Sequence, residues 1–393
     1  TVALTGAVNQ TEPTTWTVTG AGTMSIVSGA TINFGTSTTA NTLIVSAAAG
    51  ATATMTNLLA ATRTIGGIAG GGTFLVSSAT LSLSTTPVSG TVTALPSFSG
   101  QIYSSASSAT TGGLTVSAAS APGSGQIAGQ AFSGNTLTFT GATTINTNAT
   151  LALLSNASIA ASSGVTVNTG GTLAVGGGGG SETGYIKGLA GTGSVVLNGI
   201  SGAADTLSIV GAGATFSGVI SGTYGNVALA SGTQTLSGAS TYGGTTTIAS
   251  PAVLNLSGSG SLTNSAVTVS AGGTLNIATG GTGATGTIAG LNGNGTVSIT
   301  AGNTLFLNTS SSNSYSGAIA ATTGAVTVGG TGTQIFTATQ SYTGKTTVNS
   351  GATLAMSDIG FITSSSTAGT LQINQGGTVA LTGAIAQNRP TSM

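Results

Sequence analysis

Tyr342-Thr343-Gly344-Lys345-Thr346-Thr347-Val348, with Leu354 six residues on, has a counterpart one hundred residues upstream. Tyr242, Gly244, Thr246, Thr247, Ile248 and Leu254 answer Tyr342, Gly344, Thr346, Thr347, Val348 and Leu354. The same distance recurs outward from this stretch. Ile186-Lys-Gly-Leu-Ala-Gly-Thr-Gly-Ser-Val195 meets Ile288-Ala-Gly-Leu-Asn-Gly-Asn-Gly-Thr-Val297 at an offset of 102, and Ser217-Gly218-Val219-Ile220 meets Ser316-Gly317-Ala318-Ile319 at 99. Gly232-Thr233-Gln234 returns as Gly332-Thr333-Gln334, and Gly170-Gly171-Thr172-Leu173 returns at Gly272 to Leu275 and again at Gly376 to Val379. Thr143-Thr144-Ile145 and Leu151 stand 103 residues before Thr246-Thr247-Ile248 and Leu254. A period near 100 therefore runs from about residue 130 to 385.

Within each period the runs are short and alternate. Val165-Thr166-Val167, Leu254-Asn255-Leu256, Val267-Thr268-Val269 and Leu371-Gln372-Ile373 place apolar side chains at i and i+2, on one face of a strand. Gly-Gly, Ser-Gly and Asn-Gly steps bound them as turns. Short strands, tight turns and a long internal period predict an all-β solenoid, a parallel β-helix with about five turns of roughly 20 residues per period. The organisation expected is an irregular amino-terminal β section over 1–125, either a cap or a variant stack, and a repeat solenoid over 126–393. Four of the six prolines (Pro13, Pro87, Pro96 and Pro122) fall in the first part.

Composition agrees and narrows the function. Only four basic and four acidic residues occur in 393, and there is no His and no Cys. Surface helices carry Glu, Lys and Arg on their wet faces, so helix is excluded as the main element. Thr, Ser, Asn and Gly carry the polar load instead, and these favour strands and turns. Disorder needs low hydrophobicity and high net charge, whereas the mean hydropathy here is +0.43 and the net charge zero. Nucleic-acid binding depends on phosphate neutralisation and is excluded as a partner class. No apolar run approaches the ~20 residues of a membrane-spanning helix. So few titratable groups predict stability that changes little between about pH 3 and pH 8.

Ser341 to Leu354 resembles the autotransporter-associated β-strand repeat, which reads roughly Tyr-x-Gly-x-Thr-x-Ile/Val followed by Gly-x-Leu. Tyr242 to Leu256 is a second instance, with Ser250-Pro251-Ala252 where the pattern usually holds Gly, and Thr143 to Leu153 a third that lacks the Tyr. The resemblance covers about two thirds of the chain. It implies a right-handed parallel β-helix, as in autotransporter passengers and related bacterial surface proteins. Such proteins usually end in a membrane β-barrel, whereas this chain ends Asn388-Arg389-Pro390-Thr391-Ser392-Met393. That departure implies a released passenger, a fragment, or a protein that uses the repeat for assembly without the transporter.

Catalytic chemistry finds little to work with. Without His or Cys there is no Ser-His triad, no thiol nucleophile and no ordinary zinc site, so neither cofactor nor metal is expected. Glycoside hydrolysis needs paired carboxylates, and only Glu182 and Asp205, on what would be neighbouring turns, are placed to form a pair. They read better as turn residues. Gly176 to Gly180 lacks the Lys-Ser/Thr and helix of a phosphate loop and reads as a loop. Tyr242 and Tyr342 read as residues packing over the turn below rather than a sugar-stacking surface. Thr pairs that recur every hundred residues leave no continuous Thr array for binding ice.

The ends of the chain carry the assembly expectation. Thr1-Val2-Ala3-Leu4-Thr5-Gly6-Ala7-Val8 reappears as Thr378-Val379-Ala380-Leu381-Thr382-Gly383-Ala384-Ile385, seven of eight identical. Neither octapeptide holds charge or Pro, the usual protection of a strand edge. Thr1, Val2, Ala3, Leu4, Thr378, Val379, Ala380 and Leu381 are thus the candidate assembly residues. The function expected is a secreted structural subunit on a bacterial surface that self-associates into a filament, sheath or matrix. An adhesin binding a surface glycan or host receptor is the alternative, and a carbohydrate-active enzyme the least favoured.

Overall fold

The computed structural model of the chain describes residues 2–4, 7–9, 23–26, 31–33, 44–49, 52–55, 63–76, 80–104, 112–177, 179–277, 283–321, 323–357 and 371–381. Short parallel strands stacked turn upon turn make it an all-β solenoid, and the one helical element among the described residues is the single 3-10 turn Val92–Ala94. Two compact units, Thr1–Asn226 and Val227–Met393, divide the chain. Strands on either side of residue 125 belong to the same ladders, Leu114–Ala118 pairing with Thr143–Ile145.

In the first unit one ladder runs Val2–Leu4, Thr23–Ile26, Ile44–Ala47, Gly67–Gly70, Ser97–Phe98, Gly129–Ser133, Thr150–Leu154, Thr172–Val175, Ser194–Leu197 and Val219–Ser221. Alternation makes its core. Leu151 opposes Leu173, Leu173 opposes Val195 and Val195 opposes Ile220, and all four are buried. Each such side chain contributes about 1.5–3 kcal/mol by leaving water. Phe74, Phe98 and Phe132 stack edge to face inside the same unit, with centroids 5.2 and 6.5 Å apart.

The missing period before residue 125 has a physical cause. Along this ladder 28 residues separate Gly70 from its partner Phe98, and 34 separate Phe98 from Phe132, against 21 or 22 at the next steps. The extra length forms a lateral cover. Val88, Val92, Leu95 and Ile127 pack over Ala131, Ala152, Leu154 and Ala174. Ala131, Ala152 and Ala174 stand in register one below the other, at positions that alternate with the inward Leu151 and Leu173, so the segment covers the sheet's outer face. An antiparallel pair, Val88–Ser89 with Gln126–Ile127, holds it there.

The second unit shows what the sequence period means. Each turn visits three ladders. One runs Ile248, Val269, Gly293, Tyr315, Phe336, Met356, Leu381. A second runs Leu256, Ile277, Ile299, Ala321. The third runs Ser240, Leu262, Ile288, Leu307, Val328, Val348, Ile373. Ile248 lies on the first and its repeat counterpart Val348 on the third. Leu254 lies on the second ladder's strand and Leu354 on the first ladder's. One hundred residues thus carry the chain four turns and two further faces, not the five whole turns expected, because five turns, from Ile248 to Met356, take 108 residues. Every repeated motif returns one face short.

The repeated residues turn inward. Tyr242 and Tyr342 are fully buried, and each phenol meets the first Thr of its own motif, Thr246 Oγ1 at 2.6 Å and Thr346 Oγ1 at 2.7 Å. Thr246 is in turn bonded to Ser265 at 2.8 Å, as Thr143 is to Ser162 at 3.0 Å. In the copy that lacks Tyr, Phe139 stands four residues before Thr143 and is buried. The position asks for a ring in the core, with a hydroxyl as an addition. Burial pushes the Tyr242 phenol up to about 12, the bonds to Thr246 and Ser265 pulling the other way.

Candidate functional site

Val2–Leu4 and Thr378–Leu381 each stand at the end of a ladder and pair inward in one pattern. Val2 opposes Met24, Ala3 opposes Ser25 and Leu4 opposes Ile26. Val379 opposes Leu354, Ala380 opposes Ala355 and Leu381 opposes Met356. In both, Val and Leu are in register with long apolar residues and Ala with a small one. Thr1 lies outside the described residues.

The last two described strands, Leu371–Ile373 and Thr378–Leu381, carry apolar side chains that are exposed. Ile373 is 49% exposed, whereas Val348, its partner one turn earlier, is fully buried. Leu381 is 53% and Leu371 46% exposed. Among the described residues no strand pairs on the far side of Leu371–Ile373 or Thr378–Leu381.

The two acidic residues singled out by the sequence are in contact, but through the Glu182 backbone rather than carboxylate to carboxylate. The Glu182 N–H donates to Asp205 Oδ1 at 2.9 Å, the Ser155 N–H donates to Glu182 Oε2 at 2.8 Å, and the Thr206 N–H donates to the Glu182 carbonyl at 2.8 Å. Three successive turns are tied through Glu182. Asp205 is fully buried, its Oδ2 has no hydrogen-bond partner, and the Gly176 backbone lies so close that any side chain there would collide with the carboxylate. The first glycine of the five-glycine run is therefore a packing requirement. Both carboxylates serve the stacking of turns, and among the described residues no group of three or more acidic side chains gathers as a metal site would.

Burial, reinforced by the negative Glu182 and only partly offset by the Glu182 N–H, raises the Asp205 carboxyl above its ordinary value. A carboxyl raised on folding stabilises the protein fully below its unfolded value, about 3.9, and loses that contribution as pH climbs through the folded value. The unfolding midpoint of the native chain is therefore expected to rise as pH falls from 7 toward 4, and Asp205→Asn to remove that rise. Thermal unfolding of both proteins across this range checks it. A native midpoint that drops on acidification contradicts it.

A group absent from the sequence reading is the buried glutamines. Gln130 receives the Ile68 N–H at 3.0 Å and donates to the Ile68 and Pro96 carbonyls at 2.9 and 2.8 Å. Phe98 pairs with Gly70, so Pro96 stands opposite Ile68, where its missing N–H leaves a gap in the ladder. The amide of Gln130, reaching from the next turn, fills it. Gln334 does the same for Leu291, accepting its N–H at 3.0 Å and donating to its carbonyl at 2.9 Å. The repeated Gly-Thr-Gln was the signal, since Gln234 and Gln334 are both buried.

Comparison with family models, curated proteins and solved structures gives no match. No helix among the described residues is long and apolar enough to cross a membrane.

Proposed function

We propose that this chain is an extracellular structural subunit, autotransporter-like in its repeat, that self-associates into a filament, sheath or matrix on a bacterial surface. The observation that carries the reading is the near-absence of charge, four basic and four acidic residues in 393, since a net charge of zero supplies no repulsion between copies. A solenoid also suits a durable material, because backbone ladders and buried apolar columns hold it together with few groups for pH or salt to act on.

Sedimentation velocity and electron microscopy across a concentration series test the proposal. Species that grow with concentration into elongated assemblies are expected. A native chain that stays monomeric at every concentration overturns it.

A further inference from the structure

We propose that Asp205 works as a proton-operated latch on the corner where the turns of Ser155, Gly176 and Glu182 meet. The corner is closed while the carboxyl holds a proton and opens as that proton passes to solvent. The inference is independent of the self-association reading and concerns a different part of the chain.

Three observations carry it. The first is a carboxyl placed where a charge is hard to keep. Asp205 is fully buried, its Oδ1 accepts one hydrogen bond, from the Glu182 N–H, and its Oδ2 accepts none. The Gly176 backbone closes on Oδ2, and Glu182 is the one charged side chain that acts on the group among the described residues, with the sign that opposes ionisation. The second is that the bond to Asp205 comes from the residue that holds the corner together. Glu182 Oε2 takes the Ser155 N–H and the Glu182 carbonyl takes the Thr206 N–H, so a shift of Glu182 away from Asp205 slackens both. The third is that the turn so held is strained. Ser155 and Asn156 are non-glycine residues at φ +50 and +65, and the Thr183 N–H donating to Asn156 Oδ1 at 2.8 Å is a further tie to them. Strain in a turn held from outside is released once those ties give way.

Opening has a consequence beyond the corner. Gly177 lies beside Thr93 of the lateral cover and over Leu154. A corner that opens lifts this glycine from Leu154 and removes a support of the cover's tip, so the proton on Asp205 decides how firmly the outer face of that sheet is sealed. The pH window follows from linkage. In the opened corner Asp205 regains an ordinary carboxyl value, about 3.9, and in the closed corner it lies above that. Opening therefore releases one proton between the two values. Protection of the corner falls by up to about tenfold per pH unit in that window and levels off above it.

Hydrogen exchange of the full chain, followed by mass spectrometry from about pH 4 to about pH 8, tests the latch. Each rate is divided by the intrinsic rate at that pH. Segments containing Ser155, Glu182 and Thr206 are expected to lose protection as pH rises, while a reference segment around Val267–Val269 holds its own. Asp205→Asn, neutral at every pH and still able to accept the Glu182 N–H, is expected to stay protected throughout. Glu182→Gln keeps an acceptor for the Ser155 N–H and removes the opposing charge, so its loss of protection should level off at lower pH than in the native chain. Protection at the corner that does not change with pH overturns the proposal, as does a native-like fall that persists in Asp205→Asn. An equal fall at Val267–Val269 means that the chain opens as a whole, which also overturns it. Should Asp205→Asn fail to fold, Glu182→Gln decides, and a profile identical to the native one counts against the latch.

Discussion

Gln334→Leu is expected to lower the free energy of unfolding by about 2–6 kcal/mol, at about 1–3 kcal/mol for each of two buried backbone groups left without a partner. The Leu291 N–H and carbonyl both depend on the Gln334 amide, and that side chain is fully buried. Leu is close to Gln in volume, so the loss reports hydrogen bonding rather than a cavity. Gln334→Glu separates the two bonds further. It keeps an acceptor for the Leu291 N–H but cannot donate to the carbonyl while ionised, and it brings an unpaired charge into the core. Its stability should therefore recover on acidification, when the carboxyl regains a donor, and that of Gln334→Leu should not. Denaturant unfolding at two pH values measures both. A Gln334→Leu midpoint within experimental error of the native one would mean that the strand closes over the gap without its help.

Gly293→Ala should cost more than Gly283→Ala, although the two glycines have nearly the same backbone conformation, φ +94 and +92. In that region an L side chain costs about 1–3 kcal/mol wherever it is placed. Gly283 has open space where a Cβ would stand. Gly293 faces the Val269 carbonyl one turn below, which is already accepting the N–H groups of Asn294 and Gly295 at 2.9 and 2.8 Å. A methyl there presses on backbone that is pinned by two hydrogen bonds and cannot retreat. The difference between the two variants thus isolates the clash from the strain. Equal losses would mean that the turns separate readily at this corner, and that stacking there is looser than the close approach implies.

The strands are legible because alternation is a local signal. Val267 and Val269 are buried with Thr268 between them half-buried, and Leu254 and Leu256 flank a half-buried Asn255. The same alternation at Leu371-Gln372-Ile373 marks a strand, yet its apolar pair is exposed, because burial depends on a neighbour that one strand's sequence does not encode. Gln334 and Thr246 stand out in the sequence only as repeated polar residues, and both are buried. Their partners, Leu291 and Ser265, lie 43 and 19 residues away, and no local pattern announces such a bond. The Glu182–Asp205 encounter is legible as a spacing of one turn, but not its geometry, which puts one carboxylate inside and leaves the other tying backbone together. The lateral cover at Val88–Ser89 and Val92–Ala94 is hidden for another reason: its apolar residues lie against small alanines on the outer side of a strand that itself reads as continuous core.

The mismatch between the sequence period and the turn acts as a vernier. Copies of one motif a hundred residues apart are rotated by a third of a revolution about the stacking axis, so a side chain that the motif places outward is dealt to each flank in succession. Three such steps restore the starting azimuth. A whole-turn period would have ruled one flank with the same residues from end to end and given the stack a preferred side. A fractional period places successive copies on different flanks, so that no single flank is marked by every copy of the motif.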